Sequence, residues 1–239
     1  MQYDTQKMEN GLESLGIHLT DKQLNQFLIF YEKLIEKNKV VNLTAITEFS
    51  EVVEKHFLDS LSLIKVVNLK NPLKILDLGT GAGFPGIPLK IAFPELEIVL
   101  MDSLNKRVLF LQEVISDLNL HKISALHGRA EEIARKIEYR EQFDICVSRA
   151  VANLSSLSEY CIPFVRQGGR FISYKSGEIE EEVLQAKKAV HLLDGKILEV
   201  EKFQLPGTDI WRSFVCVEKL RKTPKTYPRK AGTPTKDPL

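Results

Sequence analysis

Three glycines at alternate positions, Gly79, Gly81 and Gly83, separate a short apolar run, Ile75–Leu78, from a helical pattern that starts near Pro85. One carboxylate, Asp77, falls at the end of that run. Residues without a Cβ let the backbone turn tightly and approach a ligand closely. Proline suits a first helical position, where its missing N–H would be unpaired anyway. Open α/β sheets hold cofactors at such a corner, outside the carboxyl end of the first strand. A second carboxylate, Asp102, ends the next apolar run, Glu97–Asp102. It lies about 20 residues beyond Gly81, the spacing at which a carboxylate meets ribose hydroxyls.

Two cofactor classes use a corner of this kind. Gly81-x-Gly83-x-x-Gly86 fits the dinucleotide fingerprint, which alone is weak evidence. The longer pattern, Asp77-x-Gly79-x-Gly81-x-Gly83, is the acid-plus-alternate-glycine signature of S-adenosylmethionine (AdoMet) methyltransferases. An acid at the strand end suits a ligand with an ammonium and a sulfonium, and would repel a pyrophosphate. Asp102 serves both classes, so it supports the sheet without choosing the cofactor.

The elements that must position these groups follow in chain order. Residues 1–70 read as helical: Thr20-x-x-Gln23 is a capping box, followed by Leu24, Phe27, Leu28, Tyr31, Leu34 and Ile35 at helical spacing. A second helix starts at Ser50, after an irregular link from Asn38 to Thr47. His56, Asp59 and Ser60 share one face of it and read as the polar edge of a packed helix rather than a ligand site. From Lys74 strands and helices alternate, the mark of a parallel sheet. Helix Asn105–Asn119 and strands Lys122–His127 and Phe143–Ser148 follow, with Arg149 just past the fourth strand's tip, at the mouth of a site. Helix Leu154–Arg166, a turn at Gly168-Gly169 and strand Arg170–Tyr174, ending at Lys175, come next. An acidic-to-basic helix leads to Gly195–Leu205 and Ile210–Leu220, which read as an antiparallel hairpin.

Composition narrows the setting. The 239 residues are 44% hydrophobic and 27% charged, as in ordinary globular domains. Net charge is +1, so attraction to a polyanion must come from distribution. Cys146, Cys161 and Cys216 lack disulfide or zinc spacing and suit a reducing compartment. No signal peptide or membrane-length apolar run is visible; a monomeric cytoplasmic protein without metal is the expectation. After Lys219 the chain is basic and proline-rich with no apolar period. That tail is expected to run extended without building a core, either as a phosphate-backbone contact or as a solubilising end.

The available chemistry is restricted. The segment after the fourth strand, Ser148-Arg149-Ala150-Val151, lacks the Asn/Asp-Pro-Pro-aromatic loop that serves exocyclic amines. Cys146 lies inside an apolar run and reads as a small packed hydrophobe, not a nucleophile for cytosine C5. What remains is attack by an atom with a free lone pair, such as N7 of guanine. That reaction needs no general base; placement of the acceptor can supply up to about 7–11 kcal/mol.

The set of motifs resembles the RsmG (GidB) family of bacterial small-subunit rRNA methyltransferases. The matching pieces are NLTAIT (Asn42–Thr47), KHFLDS (Lys55–Ser60), DLGTGAGFPGIPLKI from Asp77, DSLNKR (Asp102–Arg107), GRAEE (Gly128–Glu132), SRAVANL (Ser148–Leu154) and PRKAGTPTKDP (Pro228–Pro238). The resemblance implies AdoMet-dependent N7 methylation of a guanosine in the decoding-region loop of 16S rRNA. It implies a class I, Rossmann-like α/β fold: a seven-stranded, mostly parallel sheet with helices on both faces. Residues 1–70 would be a small helical extension, 71–219 the methyltransferase domain and 220–239 a basic arm. Gly79 and Phe84 would line the methionine and ribose side of the cofactor, and Asp102 would hold the ribose. Ala130 and Glu131 would frame the adenine. Arg149 would close the pocket beside the target base, and Lys175, Arg229 and Lys230 would meet RNA. Ala231 stands where the family tail often has a second proline.

Overall fold

The structure is a computed structural model that describes residues 3–149 and 152–239. Helices α1 (Gln6–Ser14) and α2 (Asp21–Val41) open the chain. At α2 the capping box forms, with Gln23 N–H donating to Thr20 Oγ1 at 3.3 Å. The Gln23 amide also reaches across to the carbonyl of Ile91 at 2.7 Å, and Gln26 to that of Leu118 at 2.8 Å. The second expected helix is broken into turns: α3 (Phe49–Val52), a π-helical turn (Val53–Leu58), α4 (Asp59–Leu61) and a 3₁₀ turn (Ser62–Lys65).

The alternation of strands and helices then gives β1 (Lys74–Leu78), α5 (Gly86–Ala92), β2 (Glu97–Asp102), α6 (Asn105–Asp117), β3 (Ile123–His127), α7 (Ala130–Ile133) and β4 (Phe143–Ser148). After α8 (Leu154–Cys161) come β5 (Val165–Ser176), α9 (Glu180–Leu192), β6 (Gly195–Gln204), β7 (Trp211–Lys219) and α10 (Thr233–Lys236). The seven strands lie in the order β3-β2-β1-β4-β5-β7-β6. All neighbours are parallel except those of β7, which runs antiparallel to β5 and β6.

Side chains alternate across the sheet, as the pleat requires. Ile75, Ile98, Ile145 and Ile172 pack on one face with the N-terminal helices, α5 and α6. Leu76, Val99, Cys146 and Phe171 pack on the other with α7, α8 and α9. Residues before Lys70 therefore share a continuous core with the sheet; Phe27, Phe30 and Phe57 are fully buried in it. Each such side chain is worth about 1.5–3 kcal/mol.

Three expectations need correction. Strand β5 starts at Val165, not Arg170, and the helix before it ends at Cys161. Gly168-Gly169 form an irregularity in pairing with β4 rather than a turn between elements; a Cβ at Gly169 would lie 2.5 Å from the carbonyl of Asp144. The helix after the glycine corner begins at Gly86, with Pro85 as its N-cap. The tail does pack. Tyr227 and Leu239 join the second core cluster and Pro234 is buried, because Arg135 and Arg140 donate to its carbonyls, at 2.5 Å to Pro228 and 3.0 Å to Tyr227.

Candidate active site

The glycine corner is built around Asp77. Its carboxylate, fully buried, accepts from Thr80 Oγ1 at 2.6 Å and from the N–H of Gly86 at 2.8 Å through Oδ2. Gly79, Gly81 and Gly83 take φ of +73°, +61° and +100°, the left-handed region that glycine enters without steric cost. A Cβ at Gly86 would lie 2.1 Å from Leu100 and 2.9 Å from Asp77. Asp77 thus ties the corner together instead of facing a ligand. Burial pushes its pKa up to about 7, against the lowering by the Thr80 and Gly86 hydrogen bonds.

Above this corner lies a groove of about 240 Å³, lined among others by Gly79, Asp102, Ala130, Glu131, Leu157 and Tyr160. The corner and Asp102 are tied: Gly81 N–H donates to Asp102 Oδ2 at 3.0 Å, and Leu104 N–H to Oδ1 at 2.9 Å. Arg107 Nη1 also reaches Oδ2 at 3.4 Å; a carboxylate has room for about four acceptor contacts, so Oδ1 keeps capacity for a hydroxyl. Leu78, Met101 and Ala130 give the groove apolar walls. Two acids, Asp102 and Glu131, with Arg129 beside them and apolar walls, fit a nucleoside with a cationic side chain. The four residues Gly79, Asp102, Ala130 and Glu131 are brought together here; Phe84 is not among the groove's lining.

A larger cavity of about 690 Å³ adjoins it, with Ala152 lining both. Arg149 and Lys175 are in its wall, with Lys55, His56, Asp59 and Arg212. Asp59 binds two arginines at once: Arg149 Nη1 at 2.6 Å and Arg212 Nε at 3.0 Å. Arg149 also donates through Nη2 to His56 Nδ1 at 3.1 Å and lies 5.4 Å over the ring of Phe84, which stacks on His56 at 4.5 Å. Phe84, expected on the methionine and ribose side of the cofactor, lies beneath this arginine. The same Nδ1 lies 3.0 Å from the carbonyl of Lys55, and Nε2 lies 2.9 Å from Thr44 Oγ1, so both ring nitrogens have partners. Burial, then the charge of Arg149, lowers the His56 pKa to about 3. The imidazole is neutral with its lone pair engaged. Lys175 donates to the carbonyl of Ala152 at 2.7 Å and to Glu182 at 2.6 Å. Among the described residues no side chain here is arranged as a general base: four cations face two carboxylates, Asp59 and Glu182, both already bonded to cations.

His56 and Asp59 therefore belong to the cavity and are not merely a polar helix edge. The π-helical turn from Val53 to Leu58 inserts an extra residue per turn, a feature found often at functional sites, and carries Lys55 and His56 into the wall. The NLTAIT segment holds them there. Asn38 Oδ1 accepts from the N–H of Leu43 and of Thr44 at 2.6 and 2.9 Å, presenting Thr44 to His56. Arg212, from the start of β7, carried no sequence signal. Beside it, Trp211, the chain's only tryptophan, is 53% exposed. Arg229 and Lys230 line neither cavity. Arg229 is bonded within the protein: Nε and Nη2 grip Glu159 at 3.0 and 2.7 Å, and Nη1 meets Asp237 at 3.4 Å. Lys230 is exposed.

A sheet with one reversed strand beside its edge, a glycine corner and an acid ending β2 define the class as a Rossmann-like AdoMet-dependent methyltransferase. Solved structures similar to the chain include TrmN from Thermus thermophilus (TM-score 0.53, 14% identity, 70% of this chain and 53% of that one). Another is M. jannaschii TYW2 in complex with AdoMet (TM-score 0.50, 14% identity, 62% and 70%). The profile of GidB, rRNA small subunit methyltransferase G, matches residues 23–210. Curated proteins named ribosomal RNA small subunit methyltransferase G are similar throughout. That of Lachnoclostridium phytofermentans is 57% identical over 236 residues, 99% of this chain and 98% of that protein; that of Alkaliphilus metalliredigens is 49% identical over 232 residues, 97% of each. The chain belongs to the rRNA small subunit methyltransferase G family, and it is an AdoMet-dependent rRNA methyltransferase.

Proposed function

We propose that the chain methylates N7 of a guanosine in the decoding-region loop of 16S rRNA, in the cytoplasm, and that it does so by placement alone. AdoMet, when bound, supplies a methyl group on a sulfonium. Asp102 would accept from the ribose hydroxyls, Ala130 would pack against the adenine ring with Glu131 at its edge, and Gly79 would leave room along the methionine side. Arg149 stands in the wall of the adjoining cavity, fixed by Asp59, His56 and Phe84, and holds the guanine in line. Lys175, Lys55 and Arg212 meet backbone phosphate, Trp211 offers a face for a neighbouring base, and Lys230 extends the basic surface.

The observation that carries this reading is that no described residue of the cavity wall is free to accept a proton. His56 is neutral but bonded at both nitrogens, and Asp59 is held between two arginines. N7 of guanine carries an unprotonated lone pair, so its alkylation requires none, whereas an exocyclic amine or a ribose hydroxyl must lose a proton. Radiolabelled methyl transfer to 30S particles, naked 16S rRNA and free nucleosides, followed by digestion, tests it. Label in 7-methylguanosine from one of the RNA substrates is the expected result. Label on another atom, or on free nucleosides alone, refutes it.

A further inference from the structure

The basic tail reads from its composition as an RNA contact, yet its contacts point inward, onto the wall of the cofactor groove. Glu159, on α8, is fully buried and accepts from the backbone N–H of Arg229 at 2.6 Å and from its guanidinium at Nε and Nη2. With the chain anchored there, Pro234 accepts from Ser156 Oγ at 2.6 Å and Thr235 Oγ1 pairs with Tyr160 OH at 2.7 Å. The N–H of Gly232 donates to Glu131 Oε1 at 2.8 Å. Glu131 and Tyr160 both line the groove. One end of the groove wall is therefore braced by residues 70 to 101 positions away in the chain, and α8 carries three of the braces on one face, at Ser156, Glu159 and Tyr160.

We infer that residues 229–239 form a clasp that sets Glu131 and Tyr160 for the cofactor, with Arg229 as a positioning residue for AdoMet rather than a contact for RNA. The chemistry is direct. A carboxylate on a flexible side chain has several rotamers, and a charge-assisted hydrogen bond from a fixed backbone N–H selects one. Fixing the acceptor before the ligand arrives removes an ordering cost from binding. The clasp depends on a buried ion pair, and removal of one partner leaves a buried charge uncompensated. The inference rests on the assignment of the groove to AdoMet and of Glu131 to the adenine edge.

The test measures AdoMet binding by calorimetry with no RNA present, and 16S rRNA binding separately, on the full chain and four variants: a truncation after Lys230, Arg229→Lys, Glu131→Ala, and the truncation combined with Glu131→Ala. The truncation keeps the Arg229–Glu159 pair and removes the Gly232 donor; Arg229→Lys keeps charge and loses the fork, so one variant remains informative if the other unfolds. Truncation is expected to weaken AdoMet about tenfold, Arg229→Lys somewhat less, and rRNA affinity to stay within about twofold. In the double variant the truncation should add less than it costs alone, since Glu131→Ala already removes the Gly232 bond and only the Pro234–Ser156 and Thr235–Tyr160 contacts remain to be lost. Unchanged AdoMet affinity in the truncation beside a weakened Glu131→Ala would overturn the clasp alone. Unchanged affinity in Glu131→Ala would overturn the adenine assignment and the clasp with it. Normal AdoMet affinity with lost rRNA binding would make the tail an RNA arm.

Discussion

Asp77 and His56 titrate in opposite senses over the same range, and each conceals the other. Burial raises Asp77 from 3.8 to about 7 and lowers His56 from 6.5 to about 3. Above about pH 4 the folded chain keeps a proton on Asp77 that the unfolded chain has released. Stability from this group is therefore present at low pH and lost as pH rises toward about 7, by about 1.4 kcal/mol per unit. Below about pH 6.5 the unfolded chain binds a proton at His56 that the folded chain refuses. Stability from that group is present above 6.5 and lost as pH falls, at about the same slope. Between about pH 4 and 6.5 the two slopes cancel. Asp77→Asn keeps an oxygen for Thr80 and Gly86 while removing the titration. Relative to the parent, its unfolding free energy should climb by about 4 kcal/mol between about pH 4 and 7. His56→Gln should fall relative to the parent by about 3 kcal/mol between about pH 4 and 6.5. The fixed cost of each substitution moves its curve without tilting it. Urea unfolding at unit steps of pH reads both slopes. A curve for Asp77→Asn parallel to the parent would refute the account of the glycine corner as a buried, proton-binding clasp.

Other expectations concern the two cavities. Asp102→Ala, which removes the acceptor that Gly81 and Leu104 preorganise, should weaken AdoMet about 10- to 100-fold by calorimetry. Arg149→Lys should lower kcat by about 100-fold or more, with AdoMet affinity nearly unchanged, in single-turnover transfer to 16S rRNA. Trp211→Ala should raise the KM for rRNA about tenfold while leaving kcat and AdoMet affinity in place, as expected for loss of one stacked base. In the parent, the single tryptophan should lose fluorescence on titration with an rRNA fragment that contains the target loop.

Much of the sheet was legible because parallel strands buried on both faces announce themselves as short apolar runs between helical periods. Strand Phe143–Ser148 falls where the sequence puts it, and Asp102 ends β2 beside Gly81 as its spacing requires. Cys146 is buried in its strand as a small hydrophobe. The acceptor cavity was not legible. His56 and Asp59 look like one polar edge on a regular helix; in the fold His56 lies in the π-helical turn and Asp59 directly after it, and both line the cavity. Their partner Arg212 is 153 positions away from Asp59, and no local pattern links them. The tail escaped for a different reason. It docks through backbone carbonyls held by Arg135 and Arg140 and through one buried ion pair; such contacts leave no apolar period in the chain, so composition alone suggested an extended arm.

Placement without proton transfer is tested most directly by the pH dependence of single-turnover methyl transfer from saturating AdoMet to saturating 16S rRNA. Between about pH 6 and 9 the rate constant should stay level, since neither the acceptor nitrogen nor any group in the cavity must release a proton. A rise of tenfold per pH unit across that range would mean that a proton leaves before the methyl arrives, and would contradict it.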